Sequence, residues 1–229
     1  MGLSLRKYLA EVIGTFTLVF CCTGAIVSNE VSGGAVTHVG ICMATALTVL
    51  AMIYALGDIS GAHMNPAVTV GFVLAKRMGI QEGIPYILAQ VIGGLLGSIA
   101  IKLLFPMQIH LGGTYPTGSD LQSFILEIIL TFFLMFVVLN VSRGEKEKGI
   151  TAGIAISAVV GLEALFAGPI CGASMNPIRS LAPALVAMDL HAQWIYLTAP
   201  FLGSIVAVIF HKVLHPVAMS AANPTPPKP

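Results

Sequence analysis

Two closely matching frames, Ser60-Gly61-Ala62-His63-Met64-Asn65-Pro66-Ala67 and Cys171-Gly172-Ala173-Ser174-Met175-Asn176-Pro177-Ile178, stand 111 positions apart, counted between Asn65 and Asn176. Proline at the first helical position gives up only an N–H that would be orphaned anyway, and the asparagine before it is a good N-cap. Each frame therefore predicts a loop that enters a helix. The apolar pieces that follow, about 66–75 and 177–187, are too short to cross a bilayer: at 1.5 Å per residue each reaches about 15 Å, half of a hydrocarbon core roughly 30 Å thick. A chain with two such pieces must bury them in protein or line a wet cavity with them, because lipid tolerates no irregular backbone.

The rest of the sequence supplies the lipid-facing part. Hydrophobic residues make up 56% of the chain, charged residues 9%, and mean hydropathy is +0.92. Charge this sparse predicts an integral membrane protein. Six segments are long and apolar enough to span, at about 8–28, 36–56, 84–105, 121–141, 150–168 and 194–214. The first is too long, and too far from a cleavage pattern, for a signal peptide. Nine of the 11 basic residues (Arg6, Lys7, Lys76, Arg77, Arg143, Lys146, Lys148, Lys212 and Lys228) fall on one side of a six-span chain, with Lys102 and Arg179 elsewhere. Both termini are thus expected in the cytoplasm, with the protein multi-pass in the cell membrane. A net charge of +1 gives no reason to expect a nucleic-acid partner.

The duplication reaches beyond the two frames. Glu11-Val-Ile-Gly-Thr15-Phe16 in the first span echoes Glu127-Ile-Ile-Leu-Thr131-Phe132 in the fourth, and Ala89 to Gly93 in the third echoes Ala199 to Gly203 in the sixth. Each half then reads span, span, half-helix, span. Three crossings is an odd number, so the second half must be inverted across the membrane. The expected architecture is all-α, with six transmembrane helices, two re-entrant half-helices and an inverted repeat. Its expected units are residues 1–115, residues 116–220 and a disordered Pro-rich tail at 221–229. The half-helix N-termini meet near the midplane, with Asn65 and Asn176 facing one another. Gly93, Gly94, Gly97, Ser98, Gly203 and Ser204 read as close helix contacts. Glu11 and Glu127 are costly in apolar spans and are expected to turn inward and accept N–H bonds from the loops before the half-helices.

Some residue types carry little chemistry here. Cys21, Cys22, Cys42 and Cys171 show no CxxC or Cys/His spacing, so the sequence suggests no metal site and no disulfide framework, and small buried packing is expected. No nucleophile–base or metal constellation points to an enzyme, and no cofactor is implied.

The paired Asn-Pro frames, with Arg179 three residues after Asn176, make the chain resemble the aquaporins of the major intrinsic protein family along essentially its whole length. His63-Met64-Asn65-Pro66-Ala67-Val68-Thr69 and Gly172-Ala173-Ser174-Met175-Asn176-Pro177 are most similar to the nodulin-like intrinsic proteins, several of which carry metalloids, and the short tails resemble those of prokaryotic members. The second motif departs from the usual Asn-Pro-Ala at Ile178, a change expected to alter the lining at the midplane. By register from the two asparagines, the resemblance puts a constriction on the extracellular side at Thr45, Ala164, Ala173 and Arg179. Water-selective members usually carry Phe and His at the first two of these positions, and glycerol facilitators carry Trp and an Asp after the Arg. Three small residues and one Arg imply a wide, hydrophilic opening. Cys22 stands where some silicic-acid-carrying relatives have a fifth filter residue, or is a small packing residue. The resemblance also implies a homotetramer in the lipid bilayer with one pore per subunit.

Each asparagine offers amide N–H donors, and the two helix dipoles turn positive ends to the midplane, which repels cations in aquaporin-type pores while neutral solutes pass. Carbonyls of Gly61, Ala62, His63, Gly172, Ala173 and Ser174 lack helix partners and can accept from hydroxylated solutes. Arg179 adds a fixed positive charge. The imidazole of His63 reads as a brace for its turn. Asp58 reads as solvated at the cytoplasmic vestibule, and Glu163 either as a bond to the Arg179 loop or as a rim carboxylate. The expected function is a passive channel for water and small uncharged solutes, with silicic, boric and arsenous acid as candidate cargo. A glycerol or urea facilitator stands as the alternative within the class, and an ion-coupled secondary transporter outside it.

Overall fold

In the computed structural model of the protein, which describes residues 2–142 and 146–216, every regular element among the described residues is an α-helix. In chain order these are α1 (Leu3–Val31), α2 (Thr37–Ser60), α3 (Pro66–Leu74), α4 (Ile80–Leu104), α5 (Asp120–Val141), α6 (Lys146–Cys171), α7 (Pro177–Ala187) and α8 (Gln193–Leu214). Six of them are long and apolar enough to cross a membrane, and α3 and α7 are not, at 9 and 11 residues. Helices α1 and α2 overrun the spans expected at 8–28 and 36–56 by several residues. The apolar window marks the hydrocarbon layer, whereas helical hydrogen bonding carries on through the polar interface on either side. Arg143, Lys228 and the tail at 221–229 lie outside the described residues, as do the side chains of Lys146 and Lys148.

Helix α1 packs along α4 and α5 along α8, and each crossing has a glycine at its tightest point. A Cβ at Gly93 would run into the Val12 carbonyl, and one at Gly203 into the Ile128 carbonyl. Close backbone approach is how helices gain van der Waals contact where lipid offers no hydrophobic drive between them. The two crossings share one design at matched positions in the two halves. A second matched pair ties the third span of each half to the loop it supports. Tyr86 donates its hydroxyl to the Ser60 carbonyl at 2.9 Å, and Tyr196 donates to the Cys171 carbonyl at 2.7 Å.

The half-helices begin as their sequence requires. Asn65 and Asn176 are extended (φ −153° and −146°), and their Oδ1 atoms cap α3 and α7 by accepting from Ala67 N at 2.9 Å and from Ile178 N at 3.1 Å. Each asparagine then spends its other end across the molecule. Asn65 Nδ2 donates to the Met175 carbonyl and Asn176 Nδ2 to the Met64 carbonyl, both at 2.8 Å. These reciprocal bonds bring the two N-termini together and define the two-fold relation between the halves. Outside, Leu47, Leu88, Ile92, Phe166 and Phe210 are exposed, a surface that suits lipid and not water.

Candidate pore and filter

The two loops before α3 and α7 have the same backbone. Gly61, Ala62 and Met64 have φ of +84°, +48° and +51°, and Gly172, Ala173 and Met175, each 111 positions on, have +83°, +43° and +53°. Left-handed geometry suits glycine but costs about 1–3 kcal/mol at a residue with a Cβ, so something must hold the other four. Two buried carboxyl groups do. Glu11 Oε1 accepts from Ser60 Oγ (2.8 Å) and His63 N (2.9 Å), and its Oε2 accepts from Met64 N and Gln90 Nε2 (both 2.8 Å). Glu127 Oε1 accepts from Ser174 N (2.7 Å) and Cys171 Sγ (3.3 Å), and its Oε2 from Met175 N (2.8 Å). Both residues are fully buried.

A cavity of about 730 Å³ runs past these loops. Along α2 it is lined by Thr45, Val49, Ile53 and Gly57, and along α6 by Ala152, Ile156 and Val160, each series stepping four residues down one helix face. The opposite wall is the re-entrant backbone, from Gly61 to Asn65 and from Ala173 to Asn176, with Arg179. One wall is therefore mostly aliphatic, and the other carries carbonyls and the asparagine amides.

The structure brings most of the expected site residues to this cavity. Thr45, Cys22, Ala173 and Arg179 line it together, and Cys22 is 1% exposed. Ala164 does not line it, but continues the 152–156–160 stripe of α6 by one further turn, and is half-buried. Gly172 is also absent from the lining. Arg179 is 7% exposed and donates from Nη1 to the Gly112 carbonyl at 2.9 Å. His63 braces its turn while lining the cavity: its ring stacks on Phe72 at 4.5 Å and its Nδ1 lies 3.1 Å from Thr69 Oγ1. Asp58 is exposed and lines the cavity beside Tyr54.

Two expectations need correction. Ile178 does not reach the midplane lining. It is 1% exposed and packs with Val19 and Ala182 against α4, in space that Gly94 leaves open, since a Cβ on Gly94 would lie 2.6 Å from Ile178 Cγ1. The first turn of α7 turns this side chain away from the lumen and toward its neighbouring helix. Glu163 neither bonds the Arg179 loop nor sits solvated at a rim. It is 1% exposed, and neither carboxyl oxygen has a hydrogen-bond partner among the described residues.

Sequence reasoning missed the carbonyls of Met64 and Met175, which the asparagines occupy, and the Gly112 carbonyl, which takes the Arg179 bond. It also read Cys171 as packing only, although its thiol bonds to Glu127. A Gly-Gly pair at 112–113 in the loop between α4 and α5 was the one available signal for a backbone approaching the pore. No group of three or more His, Cys, Asp or Glu able to hold a metal occurs among the described residues.

Residues 2–211 match the family model described as major intrinsic protein. The chain belongs to that family. Its relatives include aquaporin NIP1-1 of Zea mays, 42% identical over 202 residues that make up 88% of this chain and 72% of that protein. Aquaporin NIP1-2 of Arabidopsis thaliana is 42% identical over 209 residues, 88% of this chain and 71% of that protein. Among solved structures, the aquaglyceroporin from Plasmodium falciparum superposes with a TM-score of 0.82 at 27% identity, covering 93% of this chain and 98% of that one. This major intrinsic protein is a multi-pass membrane channel for water and small solutes, and the lined cavity between its paired half-helices is the feature of the fold that conduction needs.

Proposed function

We propose that this channel conducts small uncharged hydroxylated solutes alongside water, with undissociated metalloid acids (silicic, boric and arsenous acid) as its main cargo. The observation that carries the reading is the composition of the outer end of the cavity. Thr45, Cys22 and Ala173 surround Arg179, and no aromatic side chain stands with them at that level of α1, α2 or the second loop. Selectivity in such pores comes down to diameter and the donors and acceptors along the wall. Small residues leave width, Arg179 supplies donors, and the loop carbonyls supply acceptors for a solute with several hydroxyl groups. Ala164, one turn beyond Val160 on the same face, extends the small-residue rim outward. The nodulin-like names of the curated relatives fit the same reading.

In this reading cations are rejected twice. Arg179 is a fixed positive charge, and α3 and α7 turn their N-termini, each equivalent to about half a positive charge, toward the Asn65–Asn176 contact. Each asparagine uses its Oδ1 as a cap and one amide hydrogen for the opposite loop, so one amide hydrogen is left for a passing solute. Both termini lie in the cytoplasm, the protein sits in the cell membrane, and the exposed apolar helix faces serve lipid and the neighbouring subunits of a homotetramer.

Glycerol is the second candidate cargo, favoured by the structural match to a protein titled an aquaglyceroporin. The test is a permeability panel in one batch of liposomes, comparing water, glycerol, boric acid and silicic acid by stopped-flow light scattering. The proposal expects metalloid-acid flux well above that of empty vesicles. Water flux without metalloid flux would overturn it, and glycerol flux exceeding both acids would move the assignment to the second candidate.

A further inference from the structure

Arg179 hangs on one carbonyl. Among the described residues the only hydrogen bond from its side chain is the one to Gly112 O, at 2.9 Å. A guanidinium has five N–H donors, so a single acceptor leaves its direction to whatever holds Gly112. Gly112 lies in the strap of residues 105–119 between α4 and α5. It has φ of +66°, and a Cβ there would stand 2.6 Å from the Thr23 carbonyl, so the strap presses backbone to backbone on α1. Its neighbour Leu111 is fully buried beside Val27 and Ile101.

The same few residues of the strap are fastened a second time, at the far end of the half-helix that carries Arg179. Asp189 sits just beyond α7, where Met188 turns left-handed at φ +58° and Asp189 N bonds back to the Ala184 carbonyl at 2.9 Å. Its Oδ1 accepts from His191 N at 3.1 Å, which fixes the carboxyl, and its Oδ2 lies 3.7 Å from His110 Nδ1. His110 Nδ1 is in turn 3.3 Å from the Tyr115 hydroxyl, with the two rings edge to face at 5.1 Å. His110 and Tyr115 are two residues before and three residues after Gly112. Between them the chain makes a tight turn, closed by Gly113 N to His110 O at 2.9 Å. Burial pushes the Tyr115 hydroxyl up to about 12, so it stands neutral beside the His110 ring, while the His191 N–H holds the Asp189 carboxyl below its usual range.

We propose that Asp189 is a positioning residue for the filter, which through His110, held in turn by the Tyr115 hydroxyl, latches the 110–115 turn to the outer end of α7 and so sets the Gly112 carbonyl that aims Arg179. The latch spans α7 lengthwise: the strap touches Arg179 near one end of the helix and Asp189 past the other, about 15 Å along ten residues. This rests on Arg179 being the cation barrier of the proposed pore. Other fastenings of the strap do not replace it. Thr117 bonds to the carbonyls of Ile170 and Pro169, Thr114 Oγ1 donates to Ser180 Oγ at 2.6 Å, and Lys102 Nζ donates to the carbonyls of Pro106 and Gln108. Thr114 lies within the turn and the others hold the flanks of the strap, and none of these bonds is made by a residue from His110 to Gly113.

The test combines Asp189→Asn with Arg179→Val, measuring ion conductance in planar bilayers and water flux in liposomes. Asp189→Asn alone should leave water flux within about twofold and raise cation leak roughly tenfold. Tyr115→Phe removes a single hydroxyl and should act in the same direction, which keeps the test available if Asp189→Asn does not reach the membrane. In the Arg179→Val background Asp189→Asn should add no further leak, because the residue it positions is gone. A merely structural loss would lower all fluxes together and would add to Arg179→Val. Leak from Arg179→Val with none from Asp189→Asn or Tyr115→Phe overturns the latch and leaves the filter intact. Background conductance from Arg179→Val itself overturns the filter, and the latch with it.

Discussion

The two re-entrant loops share a backbone and differ in what they show to a solute. Positions that hold the frame are duplicated: Glu11 with Glu127, Tyr86 with Tyr196, Gly93 with Gly203, and the left-handed residues 61, 62 and 64 with 172, 173 and 175. Two positions that face the cavity are not. Val68 stands where the second half has Arg179, and both line the cavity; His63 stands where the second half has Ser174. The supports differ too. Gln90 donates to Glu11, while its counterpart Pro200 has no donor to give Glu127. The comparison separates two demands on one fold. A pair of strained loops in an apolar interior needs the same set of bonds on either side of the membrane, whereas selectivity needs a single barrier and can be written into one half.

The frame gives the largest expected effect, because losing it removes the pore. In Glu127→Gln the new amide must turn its NH₂ toward either Ser174 N or Met175 N, leaving a buried N–H orphaned at a cost of about 1–3 kcal/mol, with the two left-handed residues released besides. Glu11→Gln faces the same problem but has a remedy. Gln90 Oε1 has no partner among the described residues, so a flip of that amide offers an acceptor to the new NH₂. Both variants should melt earlier than wild type in detergent, and Glu127→Gln earlier than Glu11→Gln. Equal melting would show that Gln90 makes no difference between the halves. Normal melting with abolished flux would give the carboxyl groups a role in transport instead.

The next largest effect should come from making the unmatched position match. Arg179→Val puts in the second half the residue the first half has at 68. One unit charge acting at about 4 Å with an effective dielectric near 20 is worth about 4 kcal/mol, so its removal can raise cation passage by up to roughly a thousandfold. Neutral-solute flux should change little, since the asparagines and half-helix dipoles remain. Planar-bilayer conductance, read beside water flux from the same preparation, decides it.

What the sequence disclosed follows the same division. Six spans and two half-helices were legible because hydropathy and the Asn-Pro step are local signals, and the repeat supplied the inversion. The support by Glu11 and Glu127 was legible because a carboxyl in an apolar span has few other uses. The cross-loop bonds of Asn65 and Asn176 were not, because an asparagine has both a donor and an acceptor and the sequence does not show which carbonyl is opposite. Ile178 misled for a related reason. Its place in the motif suggested the lumen, but which face of α7 it occupies depends on the vacancy that Gly94 leaves 84 positions away. The Gly112 bond to Arg179 lies in a strap with no periodicity to read.

A smaller and more selective effect tests the rim. Thr45→Phe with Ala164→His adds bulk at Thr45, which lines the cavity with Arg179, and one turn beyond Val160 on α6. Silicic and boric acid should be excluded sterically while water still passes in single file, by the dependence of such pores on diameter. The fold should survive at Thr45, since volume added at a lumen displaces water instead of overpacking a core. Stopped-flow measurement of water and metalloid-acid flux in one liposome batch reads the ratio. Unchanged metalloid flux in a variant that conducts water would remove Thr45 and Ala164 from the filter.

The smallest effect on conduction is expected where the two motifs look most different in sequence. Ile178→Ala restores Asn-Pro-Ala to the second half and should leave the water-to-metalloid flux ratio unchanged, because Ile178 faces Gly94, Val19 and Ala182 and not the cavity. Its cost falls on stability. Removing a buried isoleucine side chain that its neighbours cannot refill typically costs about 2–5 kcal/mol. The reciprocal change should be worse. Ala67 is fully buried, its carbonyl accepts from Ser204 Oγ at 2.8 Å, and Ser204 occupies the position that matches Gly94. An isoleucine at 67 would therefore meet a side chain where Ile178 meets open space, and Ala67→Ile should fail to assemble unless Ser204→Gly accompanies it. Melting temperatures of the single and paired variants, with flux ratios for those that fold, test both halves of the argument. A shifted flux ratio in well-folded Ile178→Ala would put that side chain back at the lumen and undo the assignment of its face.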